Sequence, residues 1–121
     1  MPEPFDVVII GGGLVGLSLA RSLAGSGLTQ ALIEPQPPAP PPAGAAWDSR
    51  VYALSPGSAT FLKSCGAWQR LDQARIARVE RMRVFGDAPG ARIEFSAYDA
   101  GLRELAFIVE NGRLQHALRE A

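Results

Sequence analysis

Three glycines and one acid are the residues of this 121-residue chain whose types and spacing point most directly to chemistry. Gly11, Gly13 and Gly16 stand at the G-x-G-x-x-G spacing, directly after the apolar run Val7-Val8-Ile9-Ile10. Gly11 permits a tight turn off a strand. Gly13 has no Cβ, so a pyrophosphate can approach the backbone. Gly16 lets the next helix pack closely on the strand. Leu14 and Val15, with Gly16, open that helix, and their free N–H groups together with its dipole suit phosphate charge. Glu34 follows Gly16 by 18 residues, close to the spacing of a carboxylate that accepts hydrogen bonds from an adenosine ribose. The pattern predicts a dinucleotide site rather than a purely structural βαβ unit.

The same letters exclude neighbouring chemistries. A nucleotide triphosphatase P-loop needs Lys at 17 before Ser18, and position 17 is Leu. A 2′-phosphate would be repelled by Glu34, which argues against NADP as the ligand at this site. Cys65 is the single cysteine, so no intrachain disulfide can form. With no flanking His or acid it reads as a half-buried small residue. His116, the single histidine, reads as a helix surface residue rather than an acid or base. Paired glycosidase carboxylates and Cys/His metal clusters are not apparent. No catalytic side chain and no metal ligand is assigned.

The elements that must position these residues follow from patterning. Val7–Ile10 reads as a strand buried on both faces. The following helix carries Val15, Leu19 and Leu23 at i, i+4, i+8 and stops at Gly25-Ser26-Gly27. Gln30–Ile33 reads as the second strand. The Pro- and Ala-dominated stretch 35–46 reads as an extended connector of partial polyproline character. Val51–Leu54 reads as a short strand, followed by a helix with Ser55 as N-cap and Pro56 at N1. That helix runs to about Ser64, with Ala59, Phe61 and Leu62 on its apolar side and Gly66 at its end. Trp68–Leu71 reads as a helical turn, and 72–78 as loop or helix. Residues 81–85 and 92–95 alternate and form a half-exposed hairpin around the turn 86–90. Leu105–Val109 reads as a strand, and Asn111 or Gly112 opens a helix with Leu114 and Leu118 inside. That helix reaches Ala121 without a C-cap, which predicts a truncated piece of a longer protein.

Net charge is zero, so the sequence offers no electrostatic case for a nucleic-acid partner. The longest low-charge run, 7–20, is too short and too rich in Gly to span a bilayer. Glu3 and Asp6 carry the wrong charge for a secretory signal. A reducing, cytoplasmic setting fits the cysteine usage.

A second signal lies beyond the connector. Asp48-Ser49-Arg50-Val51-Tyr52-Ala53-Leu54-Ser55 resembles the segment that follows the nucleotide-binding unit in flavin-dependent aromatic hydroxylases, above all those of ubiquinone biosynthesis. Three further pieces are similar to that family: Phe61-Leu62 with Gly66-Ala67-Trp68; Met82-Arg83-Val84 with Gly86-Asp87; and Ile108-Val109-Glu110-Asn111 with Leu114-Gln115 and Ala117-Leu118. The likeness runs in order from Asp6 to Leu118. Gly86-Asp87 resembles the Gly-Asp flavin motif of these enzymes, but that motif lies much later in the family, so a hairpin turn is the better reading.

The resemblance implies an α/β, Rossmann-like FAD/NAD(P)-binding fold of the p-hydroxybenzoate hydroxylase type, truncated, with the start of a β-rich substrate domain. It implies a βαβ unit at 1–36, a Pro/Ala-rich linker at 37–46 and a helical remainder of the FAD-binding part at 47–78. A hairpin and strand at 79–109 would begin the substrate domain, and 110–121 would return to the FAD-binding part. It further implies bound FAD, NAD(P)H as electron donor, O2 as oxidant and hydroxylation of a small aromatic substrate, a prenylated phenol. Gly11, Gly13, Leu14, Val15 and Gly16 would then meet the FAD pyrophosphate, Glu34 the ribose, Arg50 the pyrophosphate or flavin, and Asn111 the cofactor. A guanidinium at a strand edge suits two phosphate oxygens; the competing reading of Arg50 is an ion pair with Asp48. The cofactor supplies the oxygen transfer, so no catalytic side chain is required. A chain without the later strands would lack part of its own core. The full-length protein would be cytoplasmic, with peripheral association at the inner membrane or in a multienzyme assembly. The competing functions are another flavoprotein oxidoreductase of this fold and a non-catalytic dinucleotide-binding module.

Overall fold

A computed structural model describes residues 3–36, 39–40, 44 and 46–121. The polyproline expectation falls on the connector 35–46, of which 37–38, 41–43 and 45 lie outside the described residues. The chain begins as a strand–helix–strand unit: β1 (Val7–Ile10), α1 (Leu14–Ser22) and β2 (Gln30–Ile33). β1 and β2 pair in parallel, Val7 opposite Gln30 through Ile10 opposite Ile33. Asp6 secures the entry to this pair: its carboxylate accepts from the Thr29 backbone N–H and hydroxyl, each at 2.8 Å. Gly25 and Gly27 take φ of 80° and 83° in the turn between α1 and β2, a conformation only glycine adopts without strain.

β3 (Val51–Leu54), α2 (Pro56–Ser64), β4 (Ala77–Val79), β5 (Arg81–Phe85), β6 (Arg92–Ser96), β7 (Ala106–Glu110) and α3 (Asn111–Glu120) complete the described elements. Two 3-10 turns, Trp68–Arg70 and Gln73–Arg75, lie between α2 and β4. β7 is the centre of a three-stranded antiparallel sheet, flanked by β3 and β4. β5 and β6 form a separate hairpin. The Ser55 hydroxyl accepts from Ser58 N–H at 3.1 Å, which caps α2 with Pro56 in its first turn, as the sequence predicts.

The core lies where α1, α2 and α3 meet the three-stranded sheet. Leu17, Leu62, Trp68, Val109, Leu114 and Leu118 are buried together. Trp68 meets Phe107 edge to face, with ring centroids 5.1 Å apart. The ends of α1 and α3 are tied by Arg21, whose Nε donates to Leu118 O at 2.5 Å and whose Nη2 donates to Arg119 O. This places a cation at the C-terminal turn of α3, where unpaired carbonyls collect.

Four readings need correction. β1 is not buried on both faces: Ile9 is buried, but Val8 and Ile10 are 52% and 84% exposed. Among the described residues β1 pairs only with β2, and its Ile9 side is the one that meets α1. The buried stripe of α1 is not Val15–Leu19–Leu23. Leu17 is the buried residue, Leu14 packs partly beside it, and Val15 is 85% exposed. Gly16 has to face the β1 turn, and that fixes the rotation of the helix, turning Leu17 toward α3 and Val15 away. The 72–78 segment contains the start of a strand, β4, made by pairing with β7 rather than by its own polar composition. The hairpin is exposed on both faces rather than one: Met82, Val84, Ile93 and Phe95 share a face, at 39% to 60% exposure, opposite the arginine-bearing face.

Candidate functional site

The site is an open cleft of about 880 Å³ between the β1–α1 turn on one side and β3 with α3 on the other. Gly11 makes the turn at φ 106° and donates its N–H to Ile33 O at 2.8 Å, which joins the end of β1 to the end of β2. A Cβ on Gly16 would lie 1.9 Å from Gly11 O. Only a glycine lets the helix come this close to the strand end. A Cβ on Gly13 would meet no atom within 4 Å, so its position faces the open cleft.

Gly13 is the N-cap of α1, and no side chain caps the helix. The first-turn N–H groups of Leu14, Val15 and Gly16 therefore have no intrahelical acceptor. Together with the bare α-carbon of Gly13 they form a cradle of backbone donors at the positive end of a helix, which fits a diphosphate.

Glu34 directly follows the end of β2 and is not among the residues that line the cleft. Its Oε2 accepts from Gly12 N–H at 2.7 Å and its Oε1 from Gln36 N–H at 3.1 Å. The bond from Gly12, then that from Gln36, hold the carboxyl below its usual range, so it is ionised at neutral pH. Each oxygen keeps lone-pair capacity for a ligand hydroxyl.

Arg50 and Asn111 come together at the opposite wall: Asn111 N–H donates to Arg50 O at 2.9 Å. Both line the cleft with Gly11, Gly13, Leu14, Val15 and Gly16. The structure thus gathers seven of the eight sequence-predicted residues into one cavity and leaves Glu34 beside it. The Arg50 guanidinium makes no ion pair among the described residues. Asp48 instead spends its carboxylate on backbone: Oδ1 accepts from Arg50 N–H at 2.9 Å and Oδ2 from Gly112 N–H at 3.0 Å. Those two bonds, the Arg50 one first, hold the Asp48 carboxyl below its usual range.

Tyr52 and Gln115 also line the cleft and were not singled out from sequence. Gln115 stands one helical turn after Asn111, so the i, i+4 rule applied from Asn111 would have found it. Tyr52 lies in β3, two residues after Arg50, which directly precedes that strand, so the strand period of two puts them on the same face. Elsewhere, Cys65 is half-buried with Sγ donating to Leu62 O at 3.4 Å, a packing role. Among the described residues no group of three or more His, Cys, Asp and Glu could hold a metal ion. No helix among them is long and apolar enough to cross a membrane.

Residues 6–50 match the family model for FAD dependent oxidoreductases. The solved p-nitrophenol 4-monooxygenase of Pseudomonas putida DLL-E4 superposes at TM-score 0.65 with 19% identity, over 99% of this chain and 28% of that one. The flavin-dependent monooxygenase PieE, solved with FAD and substrate, gives TM-score 0.64 at 18% identity, over 99% and 22%. These likenesses show the fold: the chain carries the Rossmann-like α/β fold found in part of these solved monooxygenases. Along nearly its whole length the chain is similar to hydroxylases of ubiquinone biosynthesis. It is 35% identical to the 3-demethoxyubiquinol 3-hydroxylase of Escherichia coli (strain K12) over 119 residues, 98% of this chain and 30% of that protein. It is 35% identical to the ubiquinone biosynthesis monooxygenase COQ6 of Homo sapiens, over 94% of this chain and 25% of that one. The chain spans under a third of the length of these relatives.

Proposed function

We propose that this chain is the FAD-binding portion of a flavin-dependent aromatic-ring monooxygenase, and that the whole protein hydroxylates a polyprenyl phenol in ubiquinone biosynthesis. The observation that carries the reading is the cleft itself. It combines an uncapped helix start and an unfilled glycine position on one wall with a guanidinium on the other.

In this reading the N–H groups of Leu14, Val15 and Gly16, with Gly11 and Gly13 making room, hold the FAD diphosphate. Glu34 accepts the ribose hydroxyls. Arg50 neutralises phosphate charge from the facing wall, and Asn111 fixes the cofactor laterally. Tyr52 and Gln115 extend that second wall. Bound FAD would supply the redox and oxygen-transfer chemistry, with NAD(P)H as electron donor; the residues of this chain bind and orient it. Residues 1–36 and 47–78 then build the cofactor side. The stretch 79–109 begins the substrate-facing part, and its last strand, β7, leads back into the cofactor side at 110–121. A prenylated substrate favours peripheral association of the whole protein with a membrane or a multienzyme assembly, from the cytoplasmic side.

The test is direct. The full-length gene product is purified and its absorbance recorded at the flavin bands, followed by NAD(P)H oxidation with and without a prenylated phenol. A yellow protein with substrate-stimulated oxidation is the expected result. A colourless protein that takes up no added FAD would overturn the assignment. Flavin retention without substrate-stimulated oxidation would favour another oxidoreductase of the same fold.

A further inference from the structure

Behind the second wall of the cleft lies an ionic cluster whose members are not among the residues that line it. Glu110, at the end of β7, is 2% exposed. Arg75 grips it with two bonds of 2.7 Å, Nε to Oε2 and Nη2 to Oε1. Arg75 is itself held by Ala46 O at 2.9 Å and by the Trp47 ring, whose centroid lies 3.9 Å from its guanidinium carbon. Arg113 pairs with Glu110 at 3.1 Å from the first turn of α3. Glu110 Oε1 also accepts from Asp48 N–H at 2.9 Å. Asp48 in turn binds the backbone of Arg50 and Gly112.

We infer that Arg75, Glu110 and Asp48 are positioning residues for the cofactor cleft: a buried brace that fixes the backbone from which Arg50 and Asn111 reach the ligand. The inference rests on the FAD-binding reading above and deepens it. The first N–H groups of α3 are already used, Asn111 on Arg50 O and Gly112 on Asp48. This helix start therefore offers little to a phosphate, unlike that of α1. Attraction on this wall has to come from side chains of Arg50 and Asn111, and a long side chain binds well only when its backbone is fixed. A purely apolar arrangement would hold a fold as firmly as a buried ion cluster does, often more so. The cluster's particular product is hydrogen-bonded registry between the 48–50 segment and the 110–112 turn.

The experiment uses the full-length protein and two probes. Adenosine, which carries no phosphate, reaches Glu34, which the brace does not touch; FAD also needs the second wall. In Asp48→Ala and Glu110→Gln, FAD affinity by flavin fluorescence quenching should fall roughly tenfold. Adenosine affinity by calorimetry should stay within about twofold of wild type. Asp48→Asn keeps one side-chain acceptor and should recover part of the FAD affinity. If Asp48→Ala does not fold, Arg75→Lys, which keeps the charge but loses the two-pronged grip, is read in the same way. Unchanged FAD affinity in these variants, or equal loss of FAD and adenosine in step with a falling melting temperature, overturns the brace as a positioning device. A wild-type protein that binds neither probe overturns the cofactor site itself.

Discussion

Glu34 Oε2 accepts the backbone N–H of Gly12 at 2.7 Å. The acid at the end of β2 therefore has work in the protein as well as toward a ligand. It pins the glycine turn against the neighbouring strand, and a Cβ on Gly12 would come within 3.0 Å of the Glu34 side chain. Glu34→Gln should keep an acceptor for Gly12, leave the melting temperature near wild type and weaken FAD binding roughly tenfold through the poorer acceptor offered to the ribose. Flavin titration of the full-length variant checks this; unaltered affinity would remove Glu34 from the ligand's contacts.

Gly16 and Gly13 separate packing from binding. Gly16→Ala forces a methyl group to 1.9 Å from Gly11 O, so the helix must retreat from the strand. A loss of about 3 kcal/mol is expected, read as a lowered melting temperature of the flavin-free protein. Gly13→Val has open space at its Cβ and should leave flavin-free stability within about 1 kcal/mol, while a branched side chain fills the diphosphate's place. Flavin should then be lost on gel filtration. A Gly13→Val protein that keeps its flavin argues against the cradle.

Acid should loosen the second wall. The two Arg75 bonds hold the Glu110 carboxyl down from an ordinary 4.5 to about 2, against the opposing effect of its burial. A carboxyl with a depressed folded value stabilises the fold fully above its unfolded value. That contribution fades as the pH falls from about 4.5 toward 2. Melting temperatures measured down this range should drop more steeply for wild type than for Glu110→Gln, which has no proton to take up there. Parallel curves would mean that Glu110 is not linked to stability.

The Trp68–Phe107 contact joins the turn after α2 to the central strand β7. Trp68→Ala removes the largest side chain of the core and should cost about 3 to 5 kcal/mol. Trp68→Phe should recover most of it, because a smaller ring keeps the edge-to-face contact. Thermal unfolding of the two variants separates these outcomes. Equal losses would show that the indole, not the ring contact, carries the stability.

Local chemistry was legible from the chain. Glycine spacing, the acid after β2, the Ser55-Pro56 cap and the alternation of the hairpin each act within a few residues, so the sequence by itself determined the βαβ unit and most element limits. Facing directions were not legible. Leu17 rather than Val15 is buried because Gly16 must meet Gly11, a contact made across the strand–helix turn. β4 exists because β7 offers it an edge. Arg50 and Asn111, 61 positions apart in the chain, meet only because β3 and β7 pair with Val51 opposite Glu110. The Asp48–Glu110–Arg75 cluster had no local signature, since each member reads alone as a surface charge. Tertiary structure decided these features because burial and ion pairing depend on which distant segments share a neighbourhood, and no short window of sequence contains both partners.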